Sequence, residues 1–191
     1  MAKLTDMTTG SISKHLLAFA APLLLGNIVQ QFYNMVDSII VGNYVGQNAL
    51  AAVGTCGSMG FLFFSLSSGL AIGIGIIVSQ YFGAKDYQNV RTTIGSSLYV
   101  LSISAFIVTL IGVFLSPALL KLLQCPNTIF KDAVTYMRVT SLGIVFIALY
   151  NGVAAILRAL GDSKSPLYFL IISSIVNIAL DLLFVLVLNW E

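Results

Sequence analysis

The sequence predicts an all-α integral membrane fold with five transmembrane helices, and three observations carry that reading. Of 191 residues, 58% are hydrophobic and only 8% charged, whereas an average soluble domain is about a quarter charged. No charged side chain occurs between Asp37 and Lys85, or between Arg91 and Lys121. Each gap exceeds the roughly 20 apolar residues that one helix needs to cross a bilayer. The apolar runs are also continuous, not alternating in ten-residue segments as in a transmembrane barrel. A helix meets its own backbone hydrogen-bonding needs in lipid. The net charge of +2 comes from basic residues at the ends of apolar segments, where they anchor helices. It gives no sign of nucleic-acid binding.

The first span covers about residues 16–44. Pro22 near its start is expected to loosen or kink it, and a polar, glycine-containing turn at 42–48 closes it. Ala18, Phe19 and Ala20 imitate a signal-peptide cleavage site, but the apolar region continues well past them, so the segment reads as an uncleaved span. The second span, about 53–82, contains Gly69 and Gly73 at the spacing that permits close helix contact. Gly73 and Gly75 lack the third glycine and preceding strand of a dinucleotide fingerprint. The third span, about 93–115, ends at Ser116-Pro117, and a short interfacial helix is expected in the linker after it. The fourth covers about 133–157. The fifth begins near Pro166, a favoured first-turn residue, and runs to about 188, with Trp190 in an interfacial aromatic belt. Cys56 and Cys125 lack metal-ligand spacing and read as free thiols. His15, beside Lys14, reads as interfacial.

Charge bias orients the bundle. Lys3, Lys14, Lys85, Arg91, Arg158 and Lys164 fall on the N-terminal side, against Lys121 and Lys131 on the other, with Arg138 just inside the fourth span. The expected topology is therefore multi-pass in the inner or plasma membrane, with the N-terminus in the cytoplasm.

Two carboxylates, Asp37 and Asp181, lie deep in the spans. An aspartate at a helix centre costs about 2.5–3.5 kcal/mol on insertion scales, so such residues face a bundle interior or an aqueous cavity and mark ion or proton paths. A neutral carboxyl that ties two helices together is the structural alternative. Gln30, Asn34 and Asp37 share one helical face, as do Asn177 and Asp181. In the fourth span Tyr136, Thr140, Gly143 and Asn151 lie near one stripe. Three polar seams in an apolar solvent are expected to turn toward one another and form a chamber lined by two carboxylates. Neighbouring carboxylates cannot both ionise cheaply in a low dielectric. A proton, a sodium ion or a cationic ligand would neutralise them, and competition for that charge is the physical minimum for antiport.

The residues that carry this seam also carry a resemblance. PLLL at 22–25, QQFYNMVD at 30–37, VG at 41–42 and ALAAVG at 49–54 resemble the first-helix region of MATE (multidrug and toxic compound extrusion) transporters. LRALGDSKSP at 157–166 is similar to the family's loop before its fifth helix, and VNIALDLLF at 176–184 to its fifth-helix signature. The resemblance implies a twelve-helix fold of two six-helix lobes and an antiporter that exports organic cations or drugs in exchange for protons or sodium ions. The helix-1 aspartate, with Asn and Asp on helix 5, points to the bacterial branch named after the DNA-damage-inducible F protein. It implies a cation-coupling site at Asp37, Asn177 and Asp181, where a sodium ion is a candidate occupant. Gln30, Asn34, Tyr136, Thr140 and Asn151 are then cavity residues, and Pro22 is a hinge. No cofactor beyond the coupling ion and no enzymatic activity are expected. With five spans, residues 1–191 read as an incomplete N-terminal lobe whose partners are small organic cations, the bilayer, and the sixth helix and C-terminal lobe of a longer protein.

Three other readings compete. A lipid-linked saccharide flippase of the same superfamily would present cationic cavity residues to phosphates, whereas the deep residues here are acidic or amides. An intramembrane aspartyl protease would have Tyr-Asp and Gly-x-Gly-Asp, but Val36 precedes Asp37 and Leu180 precedes Asp181. A structural membrane subunit without transport activity is the third.

Overall fold

The computed structural model describes residues 11–184. Six α-helices are present: α1 (Ile12–Ile40), α2 (Gln47–Gly83), α3 (Tyr87–Leu122), α4 (Phe130–Leu142), α5 (Ile144–Ala159) and α6 (Lys164–Leu182). No strand occurs among the described residues. A π-helical turn, Val41–Val45, extends α1 and stops at Gly46, whose φ of 116° favours glycine. Lys3, Trp190 and the expected end of the fifth span near residue 188 lie outside the described residues.

The helices fall into two compact units. One holds α1 with its π turn together with α6, and the other holds α2 through α5. In the second unit α3 packs against both α4 and α5 along a stripe of small residues. Its buried face reads Val90, Ser97, Leu101, Ala105, Thr109, Gly112, Ser116 and Leu120. That spacing of mostly four residues follows one side of a helix, and small side chains let backbones approach in a solvent that offers no hydrophobic drive for helix association. The approach is close at Gly152, where a Cβ would run into the side chain of Leu101. Two buried hydroxyls of this unit donate to carbonyls of their own helix, Ser97 to Thr93 (2.6 Å) and Ser67 to Phe63 (3.1 Å). They therefore cross the interface without an unmet donor.

Three expectations change. The third span does not stop at residue 115 with a separate helix beyond it. α3 continues to Leu122 with Pro117 inside it. Proline has no N–H for the carbonyl four residues back, here that of Val113. Arg138 of α4 supplies a replacement: its Nε donates to the Val113 carbonyl (3.2 Å) and to Ser116 Oγ (3.3 Å). The Ser116 hydroxyl also donates to the Val113 carbonyl (3.2 Å). The helix then ends in a Schellman closure, with Cys125 N–H on the Leu120 carbonyl and Gln124 N–H on the Lys121 carbonyl, both 3.0 Å. Gln124 takes the left-handed conformation that this motif requires (φ 55°).

The fourth span is not one helix. It breaks at Gly143 into α4 and α5, bent by 42°. Nor do Gly69 and Gly73 of α2 bring a second helix close: among the described residues nothing lies within 4 Å of where their Cβ atoms would be. The close approach falls at Gly75, where an added Cβ would lie 3.4 Å from the Ala155 carbonyl oxygen. Cys56 and Cys125 are free and buried, as expected.

The Arg138 donation predicts a double-mutant cycle. Arg138→Met keeps the aliphatic stem and removes the donor, and should lower the unfolding free energy in detergent by about 1–2 kcal/mol. In a Pro117→Ala background, where a backbone N–H reaches Val113 again, the same change should cost less than about 0.5 kcal/mol. Equal costs in both backgrounds would show that Arg138 does not act through the proline gap.

Candidate cation site

The first unit brings together the residues that the polar seams of the first and fifth spans single out. α1 and α6 pack side by side, with Gly26 of α1 against Leu167 and Leu170 of α6. Asp37 lies half-buried on α1, and Asn177 and Asp181 lie half-buried one turn apart on α6. The carboxyl groups of Asp37 and Asp181 are within electrostatic range of each other. Among the described residues, Asn177 Oδ1 and Asp181 Oδ2 are enclosed and accept no hydrogen bond. An enclosed acceptor without a donor costs about 1–3 kcal/mol. Two of them on consecutive turns, beside a second carboxylate, form a donor set of hard oxygen atoms. Such a set suits a proton or a small hard cation. Among the described residues no group of three or more His, Cys, Asp or Glu is placed to hold a metal ion.

The remaining seam residues are placed less uniformly. Gln30 and Asn34 are exposed on α1, and Asn34 Nδ2 donates to Gln31 Oε1 of the same helix (3.3 Å). Pro22 is half-buried within an unbroken α1. Tyr136 and Thr140 belong to the second unit, where they line a cavity of about 200 Å³ with Cys56, Phe63, Phe64 and Ser67 of α2 and Ile144 of α5. Thr140 directs its proton to the Tyr136 and Met137 carbonyls (2.9 and 3.2 Å), and Ser67 turns its own to Phe63. These hydroxyls therefore offer the cavity lone pairs, not protons. Asn151 reaches across to Ser68 Oγ of α2 at 3.5 Å. Sequence reasoning did not single out Cys56 as cavity wall or Ser68 as a partner, since neither carries a motif.

Four of these helices are each long and apolar enough to cross a membrane, and the bent pair of α4 and α5 makes a fifth span. The fold is that of a multi-pass membrane protein. The chain matches the MatE family over residues 22–183 and belongs to that family, the one its first- and fifth-helix motifs resemble. It is 34% identical over 183 residues to the probable multidrug resistance protein YpnP of Bacillus subtilis, covering 96% of this chain and 41% of that protein. With the probable multidrug resistance protein YoeA of the same organism it shares 32% over 170 residues, covering 89% of this chain and 37% of that one. Among solved structures, a MOP superfamily transporter from Pyrococcus furiosus superposes with a TM-score of 0.91 at 26% identity, over 100% of this chain and 42% of that chain. The chain thus spans about two-fifths of the length of the relatives it matches.

The loop before α6 fixes the start of the helix that carries Asn177 and Asp181. Gly161 turns the chain at φ 89°, and Asp162 then caps α6. Its Oδ1 accepts the N–H groups of Lys164 (3.1 Å) and Ser165 (3.0 Å), and its Oδ2 accepts the Ser165 hydroxyl (2.5 Å). The helix begins at Lys164, two residues before the expected start at Pro166. Burial alone would raise the Asp162 carboxyl. The Ser165 hydroxyl, the two backbone N–H groups and the Lys164 charge outweigh it and hold the pKa below the usual carboxylate range. A depressed folded-state pKa gives stability that is present above the unfolded value of about 3.9 and is lost as pH falls through the folded value. Asp162→Ala should therefore lower the unfolding free energy at neutral pH by about 0.5–2 kcal/mol for a lost cap. The gap to wild type should close as pH falls below about 4. Thermal unfolding in detergent across that range checks it, and a pH-independent gap would assign the loss to packing.

Proposed function

We propose that the chain supplies the N-terminal lobe of a secondary active antiporter that exports small organic cations in exchange for protons or sodium ions. The observation that carries this reading is the pair of enclosed oxygen atoms on Asn177 and Asp181, which lack a donor and lie beside the charge of Asp37. A buried acceptor set of this kind is favourable when a proton or a cation supplies the missing partner. A coupling ion bound there and a cationic substrate would compete for the same negative charge. A sodium ion fits the hard oxygen set, with Asp37, Asn177 and Asp181 as its ligands, and a proton on either carboxyl serves the same balance. Gln30, Asn34, Tyr136, Thr140 and Asn151 are assigned to the substrate-facing surface. Pro22 is assigned as a hinge, since a bend in α1 would carry Asp37 relative to α6.

The names of the Bacillus relatives, both probable multidrug resistance proteins, support export as the direction of transport. Alternating access requires two bodies that move about a central site. The partner of this lobe is therefore a C-terminal lobe, and the expected location is the inner or plasma membrane with the N-terminus in the cytoplasm, following the charge bias.

In the full-length transporter, Asp37→Asn or Asp181→Asn should reduce drug resistance to that of a host lacking the protein, with membrane expression unchanged. Wild-type resistance in either variant overturns the assignment. Efflux driven by imposed sodium or proton gradients, each in the absence of the other, identifies the coupling ion. A rate that responds to neither gradient argues against antiport.

A further inference from the structure

The break in the fourth span lies in the wall of the second unit's cavity. Tyr136, Thr140 and Ser141 contribute from the α4 side, and Ile144 and Ile147 from the α5 side. Any change in the angle between α4 and α5 therefore changes the cavity's shape. Gly143 permits the break but does not by itself impose it, since its φ of −75° and ψ of −14° lie in the ordinary helical region. Across the break, Gly143 N–H bonds to the Thr140 carbonyl (3.0 Å), and the N–H groups of Phe146 and Ile147 converge on the Gly143 carbonyl (3.1 and 3.2 Å).

The neighbouring helix supplies what the break requires. Thr109 of α3, itself buried, donates its hydroxyl to the Ser141 carbonyl at 3.2 Å. In a regular helix that carbonyl would take the N–H of Val145. One turn further along the same face, Gly112 leaves a recess filled by the Ser141 side chain, and a Cβ at Gly112 would overlap Ser141 Oγ and Cβ. The Ser141 hydroxyl donates back to the Met137 carbonyl (2.6 Å), so the seated side chain is fully satisfied. A hydroxyl donor and a recess, one turn apart on α3, thus hold both the backbone and the side chain of Ser141.

The geometry points to Thr109 and Gly112 as positioning residues that set the α4–α5 bend and, through it, the shape of the cavity and its choice of substrate. Neither residue lines the cavity. The effect on substrate choice rests on the assignment of Tyr136 and Thr140 to the substrate-facing surface, whereas the effect on the bend does not.

The two parts separate experimentally in the full-length protein. Thr109→Val keeps the shape and removes the donor. The Ser141 carbonyl should then recapture the Val145 N–H, and hydrogen exchange at residues 145–147 should slow by about tenfold. Thr109→Ser should exchange like wild type. A residue that only supports packing would give faster exchange in Thr109→Val, and either faster or unchanged exchange overturns the proposal. Gly112→Ala should displace Ser141 and change the same exchange rates, and adding Ser141→Gly should restore them; failure of that rescue also overturns it. For substrate choice, the ratio of resistances to ethidium and tetraphenylphosphonium should shift by about tenfold in Thr109→Val and not in Thr109→Ser. Slowed exchange with an unchanged ratio leaves the bend assignment standing and removes the cavity from the substrate path.

Discussion

In a lipid solvent a main-chain carbonyl that loses its helical partner must find another donor within the protein. The packing of α3 with α4 is organised around that requirement. Each helix carries one irregularity, Pro117 in α3 and the Gly143 break after α4, and each answers the other's. Arg138 of α4 donates to the Val113 carbonyl, and Thr109 of α3 donates to that of Ser141. The exchange is reciprocal and local, and it explains why a proline and a broken span coexist in a unit otherwise held by small apolar contacts. It also fixes the register of the two helices more tightly than alanine and serine stripes could, because a donor on one helix must meet a single carbonyl on the other.

The α1–α6 unit follows the opposite logic. There, among the described residues, two enclosed oxygen atoms have no donor, although buried hydroxyls of the other unit, such as those of Ser67, Ser97 and Thr109, donate to main-chain carbonyls. The fold thus provides donors for its irregular backbone yet leaves these side-chain acceptors open. A hydrogen-bonded tie between the two helices would consume such acceptors, and among the described residues no donor does so. The Asp162 cap contributes by fixing where α6 begins, and so where Asn177 and Asp181 fall along it.

Much of this was readable from residue order. Uncharged gaps longer than a membrane-spanning helix mark the second and third spans, and the four-residue spacing of Asn177 and Asp181 places both on one face. The family motifs at residues 22–54 and 176–184 pair the first span with the fifth. What was not readable depends on partners distant in the chain. Ser116-Pro117 has the local signature of a helix end, yet α3 continues with the open Val113 carbonyl met by the Ser116 hydroxyl and by Arg138 from another helix. Gly143 inside an apolar run looks like a packing residue, and the break becomes apparent only with Thr109 and Gly112 beside it. Side-chain direction was equally hidden. Asn34 turns to its neighbour Gln31, and Thr140 sends its proton back along its own helix, choices that spacing does not encode.

The pairing of α1 with α6 has a consequence for biosynthesis. A membrane protein enters the bilayer from its N-terminus as it is made, so Asp37 arrives long before its neighbours. All of α2 through α5 must be synthesised before Asn177 and Asp181 exist. During that interval a lone carboxyl sits within the first apolar helix with no tertiary partner from α6, and insertion must rely on the apolar residues around it and on protonation or residual water. The latest of the described helices to emerge completes the environment of the earliest, so the α1–α6 pairing forms only after the α2–α5 unit has been made.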